Sequence, residues 1–149
     1  MVIIKFKFKL EKVLTVRKIK EKTIINQLIQ ARKQQKTIKK QLNKLISRQE
    51  DIYIFLSDNH INLKMMIYAQ QYLDGNRQQI NKTQQKLVRQ KNEVSIIQEK
   101  LIAARRAREV MEKLKERSQE KFYNSLIKQE QKQIDEIAGS CYNLSGKLT

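Results

Sequence analysis

The sequence of 149 residues contains no proline, no tryptophan and only three glycines. Proline breaks a helix interior and glycine weakens one, so this scarcity permits very long helices. Aromatic residues make up 6% of the chain, which is too few for a broad globular core and favours burial along a narrow seam. No stretch resembles a linker rich in proline or serine, so the sequence predicts a single unit over residues 1–149.

Reactive and metal-binding side chains are equally scarce, since Cys141 and His60 are the only cysteine and histidine. A lone cysteine cannot form an internal disulfide, which predicts a reducing compartment. The phosphate-binding pattern GxxxxGK[ST], the dinucleotide pattern GxGxxG and the zinc pattern HExxH are all missing. We therefore expect no enzymatic activity, no metal site and no cofactor.

Long apolar runs are also missing. No run approaches the roughly 18 uncharged apolar residues of a membrane-spanning helix. The apolar residues at 2–4 are followed at once by Lys5, Lys7 and Lys9, so the amino end does not resemble a secretion signal. The sequence predicts a cytoplasmic protein.

Positive charge is the most abundant feature, with a formal net charge of +17. One interpretation is a site for nucleic acid or for an anionic membrane. The other is compositional, because lysine, isoleucine, asparagine and glutamine together are typical of AT-rich coding sequences and would lie on solvated faces. A basic coiled coil that binds nucleic acid or acts as a scaffold therefore stays an alternative function.

A heptad pattern begins at Leu10 and predicts a helix over about residues 8–57. Alternate steps of four and three residues reach fourteen positions, ten of them apolar. These positions are Leu10, Leu14, Arg17, Glu21, Ile24, Leu28, Ala31, Gln35, Ile38, Leu42, Leu45, Gln49, Ile52 and Leu56.

The second half has its own seven-residue pattern and predicts a helix over about 62–138. Asp74-Gly75 is typical of a turn, so a break near residue 75 stays open. Gly139 is expected to end this helix as the residue after its last turn, with a flexible tail over 139–149. The two rows of seam positions are Leu73, Ile80, Leu87, Val94 and Leu101, and Asn76, Thr83, Gln90, Ile97, Ala104 and Met111.

Polar residues between the two patterns predict a turn over about 58–61. The fold class is therefore all-α, a long antiparallel two-helix coiled coil whose C-terminal helix projects beyond the N-terminal one. A turn centred on Asn59 places Leu45 beside Leu73 and Ile24 beside Val94. The projecting part should lack an intrachain partner and favour contact with another chain; its apolar residues are Phe122, Tyr123, Leu126, Ile127, Ile134 and Ile137.

Three blocks of sequence resemble the flagellar export protein family FliJ. The first is Phe6-Lys7-Phe8-Lys9-Leu10-Glu11, and the second is the arginine-rich stretch 104–115, ARRAREVMEKLK. The third is the stretch 131–138, QKQIDEIA. Their order and spacing carry the resemblance over nearly the whole chain.

The resemblance implies a non-enzymatic coiled-coil component of the flagellar type III export apparatus, which serves motility. Such a protein is similar to the gamma subunit of rotary ATP synthases. It would couple the hexameric export ATPase to the export-gate membrane protein, assist chaperones and substrate delivery, and lie peripherally at the cytoplasmic face of the inner membrane.

The resemblance also implies two contact sites, although Asn76 stands where an apolar residue would better suit a gate-binding face. The expected gate-binding residues are Gln41, Leu45, Tyr68 and Tyr72. The expected ATPase-binding residues are Phe6, Phe8, Arg105, Arg106, Arg108, Phe122, Tyr123, Ile134 and Ile137.

Overall fold

The chain forms two long helices. The computed structural model describes residues 5–57 and 60–145, with side chains as far as Tyr142. Helix α1 spans Glu11–Leu56 and helix α2 spans Leu63–Ser145. The fold is all-α, the two helices pack antiparallel, and α2 is the longer, which confirms the predicted fold class.

Local hydrogen bonds define where each helix begins. The carbonyl of Phe8 accepts the N–H of Glu11 at 3.3 Å, and Glu11 places a negative charge in the first turn of α1, where the helix dipole favours it. Asn62 caps α2, because its side-chain oxygen accepts the N–H of Met65 at 2.9 Å. The predicted turn residues Asp58 and Asn59 lie outside the described residues.

Helix α2 passes through two glycines without interruption. The break considered near Gly75 does not occur, and Gly139 does not end the helix, which continues to Ser145. A glycine that terminates a helix adopts a positive φ, and within the described ranges no glycine does so. Residues 139–145 of the predicted tail are therefore helical, and its remaining residues, 146–149, lie outside the described part of the chain.

The heptad positions are the buried positions. All eleven seam residues of α2 from Leu73 to Met111 are buried or half-buried. Of the fourteen seam positions from Leu10 to Leu56, twelve are buried or half-buried, and only Leu10 and Arg17 are exposed. Burial thus follows the seven-residue pattern of the sequence, as expected for a coiled coil.

The structure divides into two compact units. The hairpin unit comprises Glu21–Ala103, and the terminal unit comprises the described residues of Met1–Lys20 and Ala104–Thr149. Two apolar clusters form the core of the hairpin unit. One contains Leu28, Ala31 and Val94, packed by Ile97 and Leu101, and the other contains Leu42, Leu45 and Ile80, packed by Leu87.

These clusters correct the predicted register. Leu45 clusters with Ile80 rather than facing Leu73, and Val94 clusters with Ala31 and Leu28 rather than facing Ile24. Leu28 lies four residues from Ile24, so the displacement is about four residues of α1, or half a heptad. The midpoint between Leu28 and Val94 is residue 61, which still belongs to the predicted turn. Centring the pairing on the turn was therefore too coarse to determine the register.

Candidate protein-docking surfaces

In the terminal unit, the segment before α1 is fastened to α2 by aromatic contacts. The ring of Phe6 lies 5.5 Å from that of Phe122 at an angle of 53°, and Phe122 lies edge-on to Tyr123 at 5.7 Å. Phe8 is buried. The expectation that Phe122 lacks an intrachain partner is wrong, because the residues preceding α1 reach Phe122.

Ion pairs add to this attachment. Lys115 Nζ lies 2.8 Å from a carboxylate oxygen of Glu11, and Lys18 Nζ lies 3.8 Å from Glu112. Glu112 also binds Arg108, one turn earlier in α2. Exposed pairs of this kind contribute about 0–1 kcal/mol each. The positive charge of Arg108 is therefore already paired with a carboxylate of the terminal unit.

The nine residues expected to contact the ATPase all lie in the terminal unit, but they differ in exposure. Phe8 is buried, whereas Phe6, Phe122 and Arg108 are half-buried. The exposed members are Arg105, Arg106, Tyr123, Ile134 and Ile137. Ile134 and Ile137 are each 64% exposed, and exposed apolar side chains on a helix are typical of a docking surface. We call the exposed residues Tyr123, Ile127, Ile134 and Ile137 the terminal stripe.

In the hairpin unit, an open groove with mostly apolar walls lies where α1 ends and α2 begins. Exposed aromatic rings dominate its lining: Phe55 is 47% exposed, Tyr68 69% and Tyr72 54%. A tyrosine ring offers apolar area with a polar tip, which suits protein contacts. We call this the apolar groove, and its lining comprises Arg48, Asp51, Ile52, Phe55, Met65, Tyr68, Ala69 and Tyr72.

A second groove of the hairpin unit contains the other two residues expected to contact the gate. Gln41 is exposed on its wall, whereas Leu45 is buried in the seam beneath it. Arg48 lines both grooves. We call this the cationic groove, and its lining comprises Gln41, Lys44, Leu45, Arg48, Gln79, Lys82, Thr83 and Lys86.

The structure thus places the four expected gate residues in two pairs, one in each groove. Sequence analysis did not single out Phe55 and Met65, although both belong to an apolar stretch around the predicted turn. It also did not single out Lys44, Lys82 and Lys86. The sequence did indicate a cationic surface here, because no acidic residue occurs between Glu21 and Glu50 or between Asp74 and Glu93.

Asn76 lies in the seam rather than on a binding face. It is buried, and its side-chain amide donates a hydrogen bond to the carbonyl of Leu45 at 2.9 Å. Asn76 therefore contributes to the packing of the two helices rather than to an exposed surface.

Tyr53 and Arg77 connect the two helices of the hairpin unit at its surface. Arg77 donates to the phenol oxygen of Tyr53 at 2.9 Å, and Gln49 donates to the same oxygen at 3.4 Å. The hydrogen bond from Arg77, followed by that from Gln49, lowers the pKa of Tyr53 below its usual value. Arg77 also pairs with Asp74 at 3.5 Å.

The described part of the chain contains neither a metal-ligand cluster nor a membrane-spanning helix. Over residues 5–57 and 60–145, no three side chains of histidine, cysteine, aspartate or glutamate converge as metal ligands would. Neither α1 nor α2, as far as they are described, has the length and apolar character that crossing a membrane requires.

Comparison with known proteins identifies the family to which the chain belongs. The sequence profile of the family described as flagellar FliJ protein matches residues 6–147. No curated protein and no solved structure matches the chain. The match covers both helices and both units, so the chain belongs to the FliJ family of coiled-coil flagellar export proteins and is a non-catalytic component of the flagellar export apparatus.

Proposed function

We propose that this protein couples the hexameric flagellar export ATPase to the cytoplasmic region of the export-gate membrane protein. The match to the FliJ family over residues 6–147 carries the proposal. On this proposal the protein acts in the cytoplasm, peripherally at the inner membrane, and also meets export chaperones. Its two candidate docking surfaces, one on each compact unit, give it a means of contacting two partners.

The terminal unit is the proposed ATPase contact. The terminal stripe offers its apolar side chains to a partner, and Arg105 and Arg106 add positive charge on the same helix. Phe6, Phe8 and Phe122 contribute to the proposed ATPase contact indirectly. They attach the segment before α1 to α2 and thereby shape the surface rather than forming its outer layer.

Substitution of the most exposed isoleucines tests this contact. The variant I134D/I137D should no longer associate with the purified export ATPase or promote its hexamer, because a partner would have to bury two unpaired carboxylates. Association is read by size-exclusion chromatography with light scattering. Both side chains are exposed, so the circular dichroism of the variant should match that of the unmodified protein.

The control is I29D/I102D, which changes two isoleucines of similar exposure in the hairpin unit. It should keep the ATPase association. Deletion of residues 118–149 is also expected to abolish the contact, but it removes Phe122 and with it the attachment of Phe6. The point variants are therefore the sharper test. If the unmodified protein does not associate with the ATPase, with or without nucleotide, the proposed coupling is wrong.

The hairpin unit is the proposed gate contact. Tyr68 and Tyr72 stand on α2 one turn apart and line the apolar groove opposite Phe55. The variant Y68A/Y72A should weaken binding of the purified cytoplasmic region of the gate protein by about tenfold or more, because tyrosines that become buried in an interface often supply much of the binding energy. The control I29A/I102A truncates exposed apolar residues outside both grooves and should bind normally. Equal losses in the two variants would contradict a contact at the apolar groove.

A further inference from the structure

We infer that the segment that docks on the hairpin unit is an acidic amphipathic helix, with carboxylates on the cationic groove and apolar side chains in the apolar groove. This inference deepens the proposed function, because the gate contact identifies which protein would supply the helix. The chemistry of the two grooves is an independent argument and can be tested without that protein.

The first argument is the distribution of charge. The stretch between Glu21 and Glu50 contains eight lysines and arginines, and the stretch between Asp74 and Glu93 contains five. Neither stretch contains an acidic residue, although 15 of the 149 residues of the chain are acidic. A compositional excess of lysine explains abundant cations but not the complete removal of anions from two facing stretches. The hairpin unit therefore presents a surface complementary to negative charge.

The second argument is the geometry of the cationic groove. Lys44 and Arg48 lie four residues apart on α1, and Lys82 and Lys86 lie four residues apart on α2. In each pair the two side chains emerge from the same helix face about 6 Å apart along the axis. Over residues 5–57 and 60–145, no carboxylate forms an ion pair with any of these four cations. Carboxylates spaced four residues apart on a partner helix would match this arrangement.

The third argument is continuity with the apolar groove. Arg48 lines both grooves, so a ligand that fills one extends directly into the other. The stretch of α1 from Lys44 to Phe55 is about 17 Å long, the length of a helix of about three turns. A helix laid between α1 and α2 would pack as the third helix of a bundle. Its acidic end would lie on the cationic groove and its aromatic or aliphatic side chains would enter the apolar groove.

Phosphate-bearing partners fit these grooves less well. The carboxylate of Asp51 lines the apolar groove, and Glu50 and Asp74 are exposed in the flanking turns of the two helices. A nucleic-acid backbone or an anionic bilayer that followed the cations into the apolar groove would meet this negative charge. A protein helix can place apolar or basic side chains there instead.

Two model peptides test the inference with the full-length protein. Both are fluorescein-labelled helices of about 20 residues with the same stripe of leucine and phenylalanine. In one half of the first peptide, the positions outside the stripe are glutamate. In the second peptide, the same positions are glutamine. Fluorescence anisotropy should show the glutamate peptide binding about tenfold or more tightly than the glutamine peptide. The preference should shrink with increasing salt, because surface charges are screened.

Matched charge reversals locate the binding site. K44E/K82E reverses two cations of the cationic groove, and K39E/K40E reverses two exposed lysines outside both grooves. The two variants change the net charge equally, so a general attraction to the basic protein would weaken equally in both. We expect K44E/K82E to bind the glutamate peptide about tenfold more weakly than the unmodified protein does, and K39E/K40E to bind it less than threefold more weakly. Y68A/Y72A should weaken binding of both peptides.

Several results would overturn the inference. These are equal affinity for the two peptides, equal losses in the two reversal variants, or stronger competition by single-stranded oligothymidine or phosphatidylserine vesicles than by the glutamate peptide. Failure of the proposed gate contact gives a different result. In that case the gate region does not bind the unmodified protein, while the glutamate peptide still binds it in a manner that depends on Lys44 and Lys82.

Discussion

The side-chain amide of Asn76 on α2 donates a hydrogen bond to the main-chain carbonyl of Leu45 on α1, at 2.9 Å. Gln90 repeats the contact two heptads later, donating to the carbonyl of Ala31 at 3.2 Å. Both amide side chains are buried in the seam. Both amides are therefore satisfied by the backbone of the opposite helix, which connects the two helices at two positions along the seam.

Removal of these amides should lower stability by a modest and additive amount. Asn76→Ala and Gln90→Ala should each reduce the free energy of unfolding by about 1 kcal/mol, the net value of a typical hydrogen bond. The cost stays small because each carbonyl also accepts the regular hydrogen bond of α1. The two sites lie about 20 Å apart along α2, so their effects should add within about 0.5 kcal/mol. Urea unfolding of the single and double variants measures this, and a strongly non-additive double variant would show that the contacts act as one unit.

The sequence was sufficient to identify the helices and the seam, but not the register. Hydrophobic spacing determines which face of each helix is buried, and the burial of Leu14, Leu73 and Val94 follows it. The same spacing repeats every seven residues, so it carries almost no information on which heptad of α1 meets which heptad of α2. Hydrogen bonds across the seam, such as those of Asn76 and Gln90, depend on the three-dimensional arrangement, which the spacing alone does not determine.

The candidate surfaces were predictable to different degrees for the same reason. Tyr68 and Tyr72 were expected on a shared helix face, and both line the apolar groove. The contact between Phe6 and Phe122 joins residues more than a hundred positions apart and follows no repeat. Gly139 shows the limit of a local signal, because its helix-ending tendency did not prevent α2 from continuing to Ser145.

The aromatic contact in the terminal unit should have a measurable coupling energy. Phe6→Ala and Phe122→Ala should each destabilise the attachment of the segment before α1, since each removes one ring of the pair. A double-mutant cycle should give a coupling of about 0.5–1.5 kcal/mol. Hydrogen exchange should accelerate mainly at the amides of Glu11 and Leu14, whose acceptors lie in residues 8–10. Coupling near zero would show that the two rings contribute independently.

The phenol of Tyr53 should ionise at lower pH than an unperturbed tyrosine. Its oxygen accepts hydrogen bonds from Arg77 and Gln49, which favour the charged form and lower its pKa. A depressed pKa in the folded state stabilises the fold above the usual tyrosine pKa, and this contribution disappears as the pH falls through the folded value. Below the folded value the phenol is protonated in both states, so Tyr53 makes no contribution through its charge there. Ultraviolet absorbance titration should show an early tyrosine transition that is absent in Y53F and shifted upward in R77Q. An unchanged titration in R77Q would rule out Arg77 as the cause.

Gly75 is expected to be a weak point of α2 that alanine can repair. A β-carbon added at this position would meet no atom within 4 Å, and the backbone is helical without a positive φ. Alanine lowers the entropy of the unfolded chain and favours the helix, so Gly75→Ala should raise the free energy of unfolding by about 1 kcal/mol. Gly139 has equally open surroundings but lies near the end of α2, where helices fray, so Gly139→Ala should stabilise less. Thermal unfolding followed by circular dichroism compares the two variants. A lower melting temperature for Gly75→Ala would contradict the expected gain in helix stability.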